Sequence, residues 1–207
     1  MGSNKTNIVP LAEASGRQGR RRARTRAELL RAAKQLFAAR GFHGTKVADI
    51  AAAADVGTGT FYLHFENKDA LFADLVKETS LGMREEMDAA KARHDDPHDK
   101  NGAAISTFFR FAAENRDVFR ILFGHSAQFD TLLREVHALF VDDIEKSYAE
   151  GVSAGVFEPF RATIVAQAIV GMLSQLVSWW LDHQEISLEE ITETAHRLIH
   201  EGTTRDA

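Results

Sequence analysis

The sequence predicts an all-α protein of about nine helices. Only three prolines interrupt its 207 residues, and apolar side chains recur at three- and four-residue steps along most of the chain, which is the period of a helix with one buried face. No cysteine is present, so disulfides and thiolate metal sites are excluded and the cytoplasm is the expected compartment. The chain lacks an apolar run of about 18 residues, which argues against a membrane span.

The charge is divided between the two ends of the chain. Residues 17–68 hold eleven Lys or Arg against four Asp or Glu, a net charge of +7, whereas residues 69–207 carry a net charge of −12. A basic module on an acidic body suits DNA docking at one end only. We therefore expect a flexible basic arm over residues 1–22, a three-helix module over residues 23–68 and a helical body over residues 69–207.

The first two helices are predicted from apolar stripes. The first should span about residues 25–40 and stop at Gly41, because five apolar residues share one face: Leu29, Leu30, Ala33, Leu36 and Phe37. The second should begin at Thr45, a favoured N-cap residue, and continue along a second apolar stripe: Val47, Ile50, Ala51 and Ala54.

A tight turn over residues 55–57 leads to a third helix near residues 58–64, which is too short to be stable alone. Phe61, Phe65 and Val56 are spaced to anchor it, so the remaining residues should face outward: Thr58, Gly59, Thr60, Tyr62 and His64. Such side chains can hydrogen-bond base edges and phosphates. Asn67 should cap the next helix, and the Lys68 ammonium should reach a phosphate. Together these elements predict a DNA-reading helix-turn-helix.

Two parts of this prediction have simpler alternatives. The run RQGRRRARTR over residues 17–26 favours DNA contact through an arm in the minor groove, but a solubilising tail has the same composition. Tyr62 or His64, taken alone, could equally be a packing or solvated residue.

The stretch GFHGTKVADIAAAADVGTGTFYLHFENKDALF, residues 41–72, resembles the helix-turn-helix signature of the TetR family of transcriptional regulators. The resemblance as a whole covers roughly residues 25–72. The resemblance implies that Thr45, Thr58, Thr60, Tyr62, His64 and Lys68 contact DNA. Arg24, Lys46 and Gly59 complete the predicted DNA-contacting set. The chain departs from the family at Gly57, where many members place a Ser or Thr that caps the third helix and binds a phosphate; Gly is an acceptable cap.

Six further helices are predicted in the body from apolar stripes separated by polar, Gly or Pro residues. Their approximate ranges are residues 68–92, 103–114, 118–123, 129–151, 160–183 and 187–200. The break between the fourth and fifth helices falls in the polar stretch RHDDPHDKNG around Pro97.

The last two helices predict a homodimer. The eighth is apolar almost all round, so it should be buried on more than one side, and the ninth carries a helix-pair seam. The predicted interface residues are Leu173, Leu176, Trp180, Leu188, Ile191, Ala195 and Leu198; burial within one chain is the alternative. A two-fold dimer would match a palindromic double-stranded DNA operator.

The body is rich in aromatic and Met residues, which are compatible with an apolar cavity for a small effector and also with ordinary core packing. The predicted pocket residues are Phe108, Phe111, Phe119, Phe129, Leu133, His137, Phe140, Met172, Gln175 and Trp179, with His125 as a further polar group. The segments AAENRDVFRILF and GMLSQLVSWWL are similar to regions of family members that respond to fatty acyl-CoA or other lipophilic effectors. A hydrophobic, drug-like or acyl-CoA effector is therefore expected.

Catalysis and cofactors are not expected, because no phosphate-binding Gly-rich loop, nucleophile elbow or HExxH motif occurs. The group His94, Asp95, Asp96, His98 and Asp99 fits an acidic interhelical loop better than a metal site. The functions left open are a ligand-responsive repressor and a ligand-independent, nucleoid-associated DNA-binding protein of the same fold.

Overall fold

The computed structural model describes residues 11–124 and 126–204. Within them the chain forms nine α-helices and no strand, which confirms the predicted fold class. They are α1 (Leu11–Gly44), α2 (Val47–Ala53), α3 (Thr58–Tyr62), α4 (Lys68–Lys91), α5 (Pro97–Glu114), α6 (Arg116–Gly124), α7 (Ser126–Ser153), α8 (Ala162–Trp180) and α9 (Leu188–Thr203).

Two helices start earlier than the apolar stripes predict. Helix α1 already begins at Leu11, although its helical backbone breaks at Gly41, where φ is 71°. Helix α5 begins at Pro97, because the Asp96 carboxylate accepts hydrogen bonds from the backbone N–H groups of His98 at 2.8 Å and Asp99 at 3.2 Å. Proline is well suited to the first helical position, so the polar stretch opens a helix instead of ending one.

The chain divides into two compact units, one up to Phe72 and one from Ala73. The core of the first unit is aromatic: the Phe37 and Phe42 ring centroids lie 5.3 Å apart, and each ring also packs edge-on against Phe72. Leu29, Ile50 and Phe61 complete this core without any solvent exposure. Helix α1 thereby supports both short helices of the turn motif.

The core of the second unit lies where α5, α8 and α9 meet. Phe109, Val177 and Ala195 are fully buried there. Trp180 belongs to the same cluster, and its indole N–H donates to the Ile186 carbonyl at 2.9 Å. Helix α8 also packs along α7, so it is held from two sides.

Candidate functional site

The turn between α2 and α3 has the geometry of a Schellman motif. Asp55 adopts a left-handed backbone with φ of 53°. The Val56 N–H donates to the Ala51 carbonyl at 3.0 Å, and the Asp55 N–H donates to the Ala52 carbonyl at 3.1 Å. These two bonds satisfy carbonyls that the end of α2 leaves free. The direction in which α3 leaves the turn is therefore set by backbone hydrogen bonds.

Helix α3 is anchored by buried aromatic side chains on its inner side and carries polar residues on its outer side. Phe61 is fully buried, and its ring centroid lies 5.6 Å from that of Phe65, which supplies the anchoring that a five-residue helix needs. On the outer side Tyr62 is 57% exposed, Thr58 and Gly59 are exposed and Thr60 is half-buried. Thr58, Gly59 and Tyr62 therefore face outward, as the spacing predicts, whereas Thr60 does so only in part.

Leu63 was not among the predicted contact residues, although it is the most exposed large apolar side chain of this surface at 72%. Leu63 is apolar, whereas the predicted contact residues are polar or Gly. The available signal was its position directly after Tyr62 on the outer side of a helix already anchored by Phe61. An exposed Leu here could touch thymine methyl groups.

His64 is half-buried beside two cations. Burial lowers its pKa, and the positive charges of Arg22 and Arg26 lower this pKa further. A His with a lowered pKa is neutral at pH 7, so the imidazole offers one donor and one acceptor. That combination suits a base edge better than a phosphate.

The basic segment of α1 lies beside the end of α3. The Arg22 guanidinium donates to the Leu63 carbonyl at 3.4 Å, and that of Arg26 lies 5.5 Å from the Phe65 ring centroid. Arg24 is largely exposed, with Nε 3.6 Å from a Glu28 carboxylate oxygen. The positive charge of the segment is thus placed next to the outward residues of α3.

Helix α1 overlaps the second half of the flexible arm expected over residues 1–22. Residues 11–22 are helical and continuous with the rest of α1, while residues 1–10 lie outside the part of the chain described. A minor groove is only about 6 Å wide, too narrow for a helix. The arginines between residues 20 and 26 therefore lie along a helix rather than in an extended arm.

Thr45 does not have the predicted role. Its side chain is only 1% exposed, and its hydroxyl donates to the carbonyls of Gly41 at 2.8 Å and Leu36 at 3.3 Å. Thr45 therefore closes the end of α1 and cannot offer its side chain to DNA. The N-cap of α2 is instead the exposed Lys46, whose backbone N–H donates to the Asp49 carboxylate at 3.1 Å.

Lys68 also has a structural role in place of the expected phosphate contact. Its ammonium donates to the carbonyls of Phe42 at 2.6 Å and Thr45 at 2.9 Å and lies 4.2 Å from the Phe42 ring centroid. Desolvation by burial lowers its pKa. The side chain thus joins the start of α4 to the segment between α1 and α2.

The second unit contains an apolar cavity of about 60 Å³. Five of the predicted pocket residues line it: Phe108, Phe119, Leu133, His137 and Phe140. The remaining lining comes mainly from α4, through Val76, Thr79, Ser80, Met83 and Met87, and from α6, α7 and α8. The apolar stripe of α4 contained Met83 and Met87, but a stripe alone does not distinguish a cavity wall from a packed core.

The other five predicted pocket residues do not line this cavity. Phe111 and Phe129 are buried in packing away from its wall. Gln175 and Trp179 are exposed on α8, and Met172 lines a surface groove instead. The error arose on α8, whose apolar residues surround the helix, so that the pattern could not indicate which of them face inward. His125 lies outside the described residues.

One polar pair interrupts the apolar wall. His137 Nε2 and Ser174 Oγ are 2.9 Å apart across α7 and α8, and both line the cavity. Burial lowers the pKa of His137, so its imidazole is neutral at pH 7. The cavity can therefore accept an apolar molecule that carries one hydrogen-bonding group.

The predicted dimer residues are mostly buried within the single chain. The core contains Leu173, Trp180, Ile191 and Ala195, and two further residues pack against it, Leu176 and Leu188. Of the predicted set only Leu198 faces outward, with 56% of its surface exposed. The ninth-helix seam is therefore an intrachain contact with α5 and α8.

A different apolar face is left exposed. Ile164 is 65% exposed, and along α8 it is followed at three- and four-residue steps by other exposed residues: Ala168, Gly171, Gln175 and Trp179. The first part of this face, with Ile164 and Ala168, forms an open groove of about 430 Å³ together with Phe160, Met172 and Leu198. Helix α8 is also long and apolar enough to cross a membrane, a property that the core helix of a soluble protein can share.

No group of three or more His, Cys, Asp or Glu side chains in the described ranges is placed to hold a metal ion. Of the acidic stretch, Asp96 serves as the N-cap of α5 and His98 packs with its ring centroid 4.4 Å from that of His200.

Comparison with known proteins gives matches along most of the chain. Residues 29–75 match the bacterial regulatory proteins of the tetR family, and residues 94–203 match the tetracyclin repressor-like C-terminal domain. The chain is 26% identical to the uncharacterized HTH-type transcriptional regulator YdgC of Bacillus subtilis (strain 168), over 76% of the chain and 81% of that protein. It is 24% identical to the fatty acid metabolism regulator protein of the same organism, over 84% and 93%.

Solved structures show the same fold. The fatty acid degradation regulator FadR from Bacillus halodurans superposes with a TM-score of 0.75 at 23% identity, over 84% of this chain and 93% of that one. The transcriptional regulator FadR from Bacillus subtilis in complex with stearoyl-CoA superposes with a TM-score of 0.75 at 22% identity, over 85% and 98%.

Proposed function

Because the chain belongs to the TetR family of transcriptional regulators, we propose that it is a dimeric repressor that a lipophilic effector releases from a palindromic operator. The proposed DNA binding rests on the outer side of α3. Thr58, Thr60 and Tyr62 lie there, and Phe61 is buried on the opposite side of the helix. We assign the short Thr58 and Thr60 side chains to base edges in a major groove and the Tyr62 hydroxyl to a phosphate oxygen.

Phosphate contacts supply the remaining affinity. Arg22, Arg24 and the exposed Lys46 lie in the first unit, and each cation that neutralises a phosphate releases condensed counterions. Binding should therefore weaken steeply with added salt. The neutral His64 contributes specificity rather than charge.

The effector enters the apolar cavity of the second unit. Two observations support a fatty acyl-CoA: the wall is mainly aliphatic and aromatic, and similar proteins include a fatty acid metabolism regulator and a structure solved with stearoyl-CoA, both of Bacillus subtilis. Helix α4 contributes Lys68 to the first unit and Val76, Met83 and Met87 to the cavity wall. A ligand that displaces this wall therefore moves α4, the helix that also carries Lys68. This movement is the proposed route by which effector binding releases the DNA.

The second copy docks on the exposed face of α8 and α9. An apolar groove that includes Ile164, Met172 and Leu198 would be costly to leave in water, and a two-fold partner covers it with the same residues. Two α3 helices then meet half-sites about one DNA turn apart, roughly 34–36 Å. The expected location is the cytoplasm, and no catalytic step is proposed.

Selection from a random pool of duplexes tests this function. The parent protein should enrich one sequence with an inverted repeat, and lengthening the spacer by half a DNA turn should abolish tight binding. Failure to enrich any sequence at low ionic strength would exclude an operator-specific regulator, whereas enrichment of a single half-site would exclude the dimeric arrangement.

A further inference from the structure

A second cavity, of about 70 Å³, lies next to the first in the unit from Ala73. Met87, Phe140, Ile144 and Leu173 line both cavities, so these side chains form the partition between them. Each cavity alone has room for only a few waters. A long apolar chain therefore cannot be accommodated unless the space is enlarged.

The partition contains side chains that can move. Met87 is half-buried, and an unbranched thioether with three rotatable bonds adapts readily to a new shape. Phe140 is also only half-buried. Rotation of these two side chains would open a passage through the part of the partition that they form.

The two cavities differ in chemistry. The described lining of the first contains no charged side chain, whereas the second is lined by Arg84, Asp88, Lys91 and Asp143. Arg84 Nη2 donates to Asp143 at 2.6 Å, and Lys91 Nζ lies 2.6 Å from Asp88 Oδ1. A molecule that spans both cavities must therefore be apolar at one end and polar at the other.

Arg84 is held in this lining by its ion pair with Asp143. Its buried Nε lies 2.5 Å from Asp143 Oδ2, although it makes no hydrogen bond there. A guanidinium carries five N–H donors, and one carboxylate engages only part of them. The remaining donors can bind the oxygens of a ligand carboxylate or phosphate.

We infer that the second cavity binds the anionic group of an amphipathic effector whose apolar chain fills the first cavity, and that Arg84 selects the anion. The inference rests on the proposed lipophilic effector and adds the location and charge of its polar end. The shared chemistry is an oxygen anion on a molecule that also carries a long apolar chain: the carboxylate of a free fatty acid, or the phosphates that the pantetheine arm of an acyl-CoA separates from its acyl chain.

The test measures dissociation constants by titration calorimetry for dodecanoate, dodecanoyl-CoA and the uncharged dodecanol. Arg84→Gln should weaken binding of the anionic ligand about tenfold or more and leave dodecanol unchanged, because only the charge-assisted hydrogen bonds are lost. Arg84→Gln with Asp143→Asn removes the ion pair without leaving an unpaired carboxylate, and should show the same selectivity. Arg110→Gln is the matched control, since Arg110 pairs with Glu86 and Glu114 and lines neither cavity.

The ligands separate the outcomes. Tight binding of dodecanoate alone identifies a carboxylate as the bound anion, and tight binding of dodecanoyl-CoA alone identifies the phosphates. Equal loss for dodecanol and the anionic ligand, or no loss for either, in both Arg84 variants would overturn the inference while leaving the lipophilic effector intact. If the parent protein binds none of the three ligands, the proposed effector class is wrong and this inference fails with it.

Discussion

Thr45 and Lys68 match the sequence signature of a DNA-binding module, yet the structure uses both to hold that module together. The Thr45 hydroxyl and the Lys68 ammonium donate to four backbone carbonyls around the end of α1 and the start of α2. A signature records which residues recur, and it does not say whether a residue contacts the ligand or supports those that do. Exposure separates the two roles: Tyr62 is open to solvent, whereas Thr45 is not.

Lys68→Met should therefore affect folding more than DNA binding. The change keeps an apolar stem beside Phe42 but removes the ammonium that holds two carbonyls, so the free energy of unfolding should fall by about 1–3 kcal/mol. Lys46→Met is the control at an exposed cation; it should leave stability unchanged and reduce the salt dependence of DNA binding by about one phosphate contact. Urea unfolding measures the stability of each variant, and DNA binding across a salt series measures its number of phosphate contacts. Unchanged stability of Lys68→Met would remove its structural role.

Tyr62→Phe should weaken binding to all DNA sequences by about 1.5–3 kcal/mol, because the phenolic hydroxyl is proposed to donate to a phosphate, and hydrogen bonds to charged groups have this magnitude.

Leu63→Ala should instead reduce the preference for thymine, since an apolar side chain reads the methyl group. Fluorescence anisotropy with thymine- and uracil-containing duplexes distinguishes the two. Equal binding of both duplexes by the parent would exclude the Leu63 contact.

At the scale of the helices, the ends were harder to predict than the helices themselves. Helix α5 starts at Pro97 because one carboxylate caps it, and α1 begins well before its apolar stripe. Periodicity detects a buried face, so a helical segment that is polar all round gives no signal of this kind. Helix α3 was predicted well, since Phe61 and Phe65 mark its inner side.

Gly57→Ser should improve both the cap of α3 and its affinity for DNA. Gly57 has an N-cap backbone, with φ of −69° and ψ of 149°, and a Cβ there would meet no atom within 4 Å. The added hydroxyl should raise the free energy of unfolding by roughly a few tenths of a kcal/mol, and the salt slope should increase if it binds a phosphate. Gly57→Ala, which lacks the hydroxyl, should be less stable than the parent. A lower melting temperature for the Ser variant than for the Ala variant would contradict the cap.

Ile164→Glu combined with Leu198→Glu should dissociate the dimer, because both side chains lie on the open apolar groove of α8 and α9. Light scattering should give the mass of one chain, 23.0 kDa, with helicity retained. Leu81→Glu, at another exposed Leu, should keep the parent's mass. Ile191→Glu should unfold the body instead, since Ile191 is buried in the core. A dimer that survives the paired change would place the interface elsewhere.

At the scale of the whole chain, the sequence predicted the all-α fold and the outward side of α3, because local spacing determines both. The cavity lining was predicted only in part, and most residues predicted for a dimer interface belong to or pack against the chain's own core. Both depend on which side of α8 packs inward, and an almost uniformly apolar helix does not encode this in its pattern. Trp180 and Trp179 show the consequence: adjacent and chemically identical, one lies in the core and the other faces outward.

The most direct test is a fluorescence anisotropy titration of stearoyl-CoA into the protein bound to its selected operator. The anisotropy should fall to that of free DNA as the effector saturates, while coenzyme A alone at the same concentration should leave the complex intact. If calorimetry shows that stearoyl-CoA binds and the anisotropy nevertheless stays at the value of the complex, the protein is a DNA-binding regulator that this lipid does not release.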